Sequence, residues 1–198
     1  NTAGTTATAT AAAVAAKAAT ATDLTSITIT GSKNLTVTAS SKNTALATVN
    51  ADAFTGSTLT VTANSGTTQA AMTVTVPTTT SATITTGKGA DTVTVGDGGT
   101  ALANTITTGD GADTIVSGAG ADNIDSGDDG GSITSGAGND TIDSGDGVDT
   151  ITLGDGDDTV NTSGAGADVI DGGAGNDTVT TAGAGADSIT GGTGNDNL

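Results

Sequence analysis

Residues 135–161 read SGAGNDTID, SGDGVDTIT, LGDGDDTVN, three uninterrupted nonamers of the form x-G-x-G-x-D-x-U-x in which U is aliphatic. Glycines two positions apart permit positive-φ backbone and a tight turn that residues carrying a Cβ resist. The x-U-x triplet sets one aliphatic between polar neighbours, the period of a short strand with a single inward side chain. Such a strand has no core of its own, so copies must stack on one another.

Outward from this stretch the pattern continues. Residues 86–94 (TGKGADTVT), 108–116 (TGDGADTIV) and 117–125 (SGAGADNID) precede it; 163–171, 172–180, 182–190 and the truncated 191–198 follow. Two copies depart from it: Asn104 replaces Asp after a four-residue insertion within 99–103, and 126–134 (SGDDGGSIT) carries Gly131 at the aspartate position. The residues expected to point inward are Val93, Ile106, Ile115, Ile124, Ile133, Ile142, Ile151, Val160, Ile170, Val179, Ile189 and Leu198. We take two nonamers as one coil of about 18 residues, with one strand on each of two facing sheets. The single extra residues Thr162 and Thr181 then fall on the same flank of consecutive coils. About six coils result, or roughly 29 Å at a strand spacing of ~4.8 Å.

Composition narrows the function. The 198 residues include no Cys, His, Trp, Tyr, Arg or Glu, and one Phe and one Met. Imidazole bases, thiolate nucleophiles, zinc fingers and disulfides are excluded, and no enzyme is expected. Paired Asp residues also occur in glycosidases, but regular repetition without an aromatic sugar platform argues against that chemistry. All 22 acidic residues are Asp; the formal charge is +1 over residues 1–86 and −19 over 87–198. So acidic a segment repels itself until cations neutralise it, and it is unsuited to nucleic acid or an anionic membrane. Composition alone also fits a disordered acidic tail; the strict order of the repeat decides against one. No apolar run reaches the roughly 18 residues of a membrane-spanning helix, so no membrane insertion is expected. The chain opens at Asn1 without a start methionine or signal peptide and ends one residue short of a repeat, so it is expected to be a piece of something longer.

Before the nonamers, residues 1–23 are Ala and Thr with few exceptions and are expected to form a tether or loop; 11–19 could form a short helix on propensity, against which Thr alternation favours extension. Residues 24–85 form the next unit. In it 27–30, 35–39, 59–63 and 72–76 alternate apolar residues with Thr, as strands do. ITGSKNLTVTA (29–39) returns as FTGSTLTVTA (54–63), and Leu35, Leu59 and Ile84 are spaced by 24 and 25 residues. We read larger solenoid coils continuous with the roll. The rival is a small immunoglobulin-like sandwich, since SSKNTALATVN followed by LTVT also resembles bacterial Ig-like modules, although about fifty residues is short for one.

Over 86–198 the nonamer resembles the calcium-binding RTX repeat G-G-x-G-x-D-x-U-x. Here the first glycine is usually Ser, Thr or Ala and is Gly only at Gly172 and Gly191, a change that could weaken individual sites. The resemblance implies an all-β fold: a parallel β-solenoid whose C-terminal half is a β-roll, with each ion between a turn and its equivalent one coil later. It implies ligands of one Asp carboxylate from each turn and backbone carbonyls around the glycines. Calcium takes six to eight oxygen ligands, which carboxylates and glycine carbonyls supply. Two carboxylates ~5 Å apart repel by about 3 kcal/mol at an effective dielectric of ~20, and a shared cation reverses that sign.

Carried over residue by residue, one edge pairs Asp122 with Asp140, then Asp158, Asp177 and Asp196 in turn; the other pairs Asp149 with Asp168 and Asp168 with Asp187. Asp113 faces Gly131, so its site is expected to be weak or empty, with Asp128 or Asp129 able to compensate; Asp91 and Asn104 begin the array. The glycines contributing carbonyls are Gly118, Gly120, Gly136, Gly138, Gly145, Gly147, Gly154, Gly156, Gly164, Gly166, Gly173 and Gly175. At least six calcium ions are expected. Asp97, Asp110, Asp125, Asp143, Asp146, Asp155, Asp157 and Asp171 are expected to face solvent, and the Asp residues could alternatively serve only as turn formers.

Thr/Ala-rich coils such as ATVNADAFTGSTLTVTA joined to these nonamers resemble the RTX-type surface-layer (S-layer) proteins of Gram-negative bacteria. The resemblance implies export unfolded by type I secretion, calcium-driven assembly at the cell surface and partners that are copies of the chain in a two-dimensional lattice. Through a region outside this stretch, cell-surface polysaccharide is a further expected partner. The alternative is an RTX carrier or folding module of a secreted adhesin, protease, lipase or toxin.

Overall fold

The computed structural model describes residues 5–11, 16–17, 24–39, 45–63, 70–96 and 101–198. Successive strands alternate between two sheets. One has ten strands in the order Thr5–Ala11, Leu24–Gly31, Thr48–Phe54, Thr73–Val76, Thr92–Val95, Thr114–Val116, Ser132–Ala137, Thr150–Asp155, Val169–Ala174 and Ser188–Thr190. The other has nine: Ala16–Lys17, Leu35–Thr38, Thr58–Thr62, Ser81–Thr85, Thr105–Thr107, Asn123–Asp125, Thr141–Gly145, Thr159–Ser163 and Thr178–Ala182. Each strand pairs in parallel with the strand two further along the chain, so the molecule is a continuous parallel β-solenoid. An immunoglobulin-like sandwich requires antiparallel pairing; every pair among the described strands of residues 24–85 is parallel, which rules it out.

Two nonamers make one coil. Ile115 lies beside Ile133 and Ile124 beside Ile142, each 18 residues on. Where Thr162 is inserted the step becomes 19, and Thr162 and Thr181 lie side by side in one sheet, the shared flank expected of them. The inward aliphatics from Val93 to Val179 are buried. Ile189 is partly buried and Leu198 is 60% exposed.

The earlier coils are longer and carry a broader core that includes Phe54, Leu46, Leu59 and Met72. Leu35 pairs with Leu59 as the spacing suggests, but Leu59 pairs with Ala82, and Ile84 pairs with Val61. A two-residue shift leaves the same side chains facing inward, so alternation could not separate the two registers. Residues 5–11, expected in a tether, instead pair in parallel with Leu24–Gly31, extending the sheet by one strand. Residues 11, 16 and 17 are extended rather than helical; the rest of the 11–19 run lies outside the described residues.

Candidate metal centre

The turns stack in two columns, one along each edge of the solenoid. On one edge lie Asn104, Asp122, Asp140, Asp158, Asp177 and Asp196, and each side chain reaches back to the preceding coil. Oδ1 of Asp122 accepts the Asn104 N–H at 2.7 Å, Asp140 that of Asp122 at 2.8 Å and Asp158 that of Asp140 at 2.7 Å. Asp177 accepts from Asp158 at 3.0 Å, and Asp196 from Asp177 at 3.1 Å. On the other edge Asp91 accepts from Met72, Asp113 from Asp91, Asp149 from Gly131, Asp168 from Asp149 and Asp187 from Asp168, at 2.7–3.1 Å. The carboxylates matched from the repeat thus fall into two ladders. Asp91 belongs to the second, a place its sequence neighbours did not make plain.

Each ladder spends one oxygen per carboxylate. The second, Oδ2, is buried without any hydrogen-bond partner in Asp91, Asp113, Asp122, Asp140, Asp149, Asp158 and Asp177. A buried carboxylate oxygen left without a donor is costly, and a cation is the partner it lacks. Among the described residues no three carboxylates converge on one point. A site here draws its remaining oxygens from the backbone, as an oxygen-ligated hard cation permits.

The glycines bring that backbone close. Gly138 has φ of 128°, and a Cβ there would collide with the carbonyl oxygen of Gly120 in the coil before. Eleven of the twelve candidate glycines have positive φ, Gly166 being the exception. Turns stacked this closely leave carbonyl oxygens and carboxylates together along the edge.

Gly131 interrupts the second column. It stacks on Asp113, whose carbonyl accepts the Ser132 N–H at 2.8 Å, but it offers no carboxylate. Asp128 and Asp129 do not replace it: both are exposed, and Asp128 Oδ1 accepts the Asp146 N–H at 3.2 Å instead. Asp125, Asp143, Asp146, Asp155, Asp157 and Asp171 are exposed and Asp110 is half-buried, paired with Lys88; Asp97 lies outside the described residues.

The Ser and Thr residues at the first repeat position have a role that the sequence did not disclose. Thr86, Thr108, Ser117 and Ser135 are buried, and each hydroxyl donates to the corresponding carbonyl one coil on: Thr86 to Thr108, Thr108 to Ser126, Ser117 to Ser135 and Ser135 to Leu153, at 2.9–3.3 Å. Ser144 makes no such bond, and Ser163 is half-buried with its hydroxyl on Asp146. Their recurrence at one position was the available signal. A glycine there could not make this inner ladder.

Burial raises the carboxyl pKa values of Asp91, Asp140, Asp149 and Asp177, and pushes those of Asp113, Asp122 and Asp158 up to about 6. The backbone N–H groups that these carboxylates accept from pull partly the other way. Without metal, the folded roll therefore keeps protons that an unfolded chain, with carboxyls near the ordinary ~3.9, has released. The stability gained from them is fully present below about pH 4 and is lost as pH rises through about 6. In chelator, acidification from pH 7 to about 4.5 is expected to increase β-structure by circular dichroism. Half-saturating calcium should rise over the same fall in pH, because protons compete for the same oxygens; a calcium midpoint indifferent to pH would contradict this.

A family model described as the RTX calcium-binding nonapeptide repeat (4 copies) matches at residues 98–133, 127–160, 162–182 and 181–198, together just over half of the chain. No curated protein and no solved structure matches the chain. The matched residues hold the two carboxylate ladders from Asn104 and Asp113 onward, and the buried, unpartnered oxygens fit the calcium that such repeats bind. By its repeats and by the turns they build, the chain belongs to the RTX calcium-binding nonapeptide repeat family.

Proposed function

We propose that the chain is a structural, non-catalytic segment of a bacterial surface layer, ordered outside the cell by calcium and packed against copies of itself. The observation that carries the calcium part is the run of buried Oδ2 atoms without partners, repeated coil after coil. In this reading Asp122, Asp140, Asp158, Asp177 and Asp196 hold four ions between them, and Asp149, Asp168 and Asp187 hold two. The neighbouring turn carbonyls, from Gly118 to Gly175, complete each site. Asp91 and Asp113, one coil apart on the second edge, supply the carboxylates for a further ion.

The lattice role is supported by the uniformity of the molecule. Its coils continue one architecture from residue 24 to the end of the array, and the sequence offers no His, Cys or Glu for catalysis. RTX calcium-binding repeats are typical of secreted extracellular proteins, where calcium is available at the roughly 10⁻⁴ to 10⁻³ M that extracellular modules require. Electron microscopy of the protein in calcium is expected to show two-dimensional sheets that disperse on adding chelator. Calcium-ordered single molecules that never form sheets would overturn the lattice reading in favour of a carrier module for a secreted adhesin, protease, lipase or toxin.

A further inference from the structure

Asn104 occupies the aspartate position at the start of the first edge, and its side chain is 3% exposed. Unlike the carboxylates beyond it, it leaves no polar atom unused. Its Oδ1 accepts the Ala82 N–H at 2.9 Å, the same backward bond that each Asp makes. Its Nδ2 faces three oxygens: the carbonyl of Leu102 at 3.0 Å, the carbonyl of Ser117 at 3.2 Å and Oδ1 of Asp122 at 2.9 Å. This set fixes the amide's orientation, because flipping it would set an oxygen against three acceptors.

Shifted by one coil of 18 residues, the same three positions are the carbonyl of Gly120, the carbonyl of Ser135 and a carboxylate oxygen of Asp140. There the residue at the Asn104 position is Asp122, which has no hydrogens to offer and keeps Oδ2 unpartnered. On the opposite edge the first residue is Asp91, whose Oδ2 is likewise unpartnered. The two edges thus begin differently: one with a self-satisfied amide, the other with an incomplete carboxylate.

We propose that Asn104 is a built-in substitute for an ion, its amide group filling with N–H donors the oxygen pocket that the next coils fill with calcium. The inference rests on the calcium reading of those next coils. Its consequence is a junction between Ala82, Asn104 and Asp122 that closes without metal, joining on this edge the longer coils before it to the calcium-dependent coils after it. Because a solenoid orders through nearest neighbours, a metal-free junction gives the calcium-dependent coils a preformed edge on which to stack.

The test compares the full-length chain with Asn104→Asp, which places a carboxylate among three oxygens and so converts the junction into a further calcium site. Calorimetric titration is expected to count one more ion for N104D than for the unsubstituted chain. In chelator, the amides of Ala82 and Asn104 should be protected from hydrogen exchange in the unsubstituted chain and lose about tenfold or more of that protection in N104D, the worth of a net hydrogen bond or more. Calcium should restore it. If the unsubstituted chain binds calcium but N104D binds no more, or if its own junction is unprotected in chelator, the substitution by an amide is refuted and the calcium reading stands. If the unsubstituted chain binds no calcium at all, both fall together.

Discussion

Chelation is expected to abolish most of the β-structure of residues 126–198, beyond the junction at Asn104 and Asp122, and millimolar calcium to restore it, as followed by far-UV circular dichroism. The size of the effect follows from the charge. Residues 87–198 carry −19, and seven buried aspartates of the two ladders each keep one carboxylate oxygen without a hydrogen-bond partner. The thin core, one aliphatic per nonamer with Leu153 added, has little with which to oppose that repulsion. Cations neutralise the charge and occupy the unused oxygens at once, so metal binding and folding are a single equilibrium. The earlier coils, with Phe54, Leu59 and Met72 in their core and a formal charge of +1 over residues 1–86, are expected to lose far less signal. A spectrum unchanged by chelator would show that the turns are held by glycine geometry alone and that the Asp residues are only turn formers.

Asp158→Ala should raise the calcium concentration needed for half-maximal folding by roughly tenfold or more, since it removes a charge-assisted hydrogen bond and a carboxylate in the middle of the column. Asp158 accepts the Asp140 N–H through Oδ1, keeps Oδ2 unpartnered, and in the proposed reading faces one ion on each side. Asp155→Ala, at an exposed turn position three residues earlier, should move the midpoint by less than about twofold, as surface changes usually do. The damage from Asp158→Ala should be greatest in the coils of Asp140 and Asp177, its neighbours in the ladder. Hydrogen exchange resolved along the chain would show this. Equal midpoints for the two variants would remove Asp158 from the ligand set.

The aspartate ladders were legible from the repeat because identical nonamers leave few alternatives. If Ile124 is to stack on Ile142, then Asp122 must lie beside Asp140, and the same constraint propagates along the array. Less regular stretches carried no such constraint. The strand Thr48–Phe54 lies in a segment that could be read as part of either a solenoid coil or a sandwich, and the pairing of Leu59 with Ala82 differs from the apparent spacing by two residues. In both places the local pattern marks which side chains are inward without specifying which strand they meet.

Periodicity by itself determined the coil length, the inward aliphatic of each strand and the alignment of the carboxylates, because a chain that repeats every nine residues must stack each position on its own equivalent. Tertiary structure alone decided how the atoms of that alignment are used: which carboxylate oxygen is spent on the preceding coil and which is left over, that Ser and Thr at the first position form an inner hydroxyl ladder, and that Asn104 closes its turn completely. The reason is distance along the chain. Apart from the local bond between Asn104 and Leu102, these contacts join residues 13 to 22 positions apart across two coils, so they depend on the orientation of a neighbouring turn, which no nonamer carries within itself.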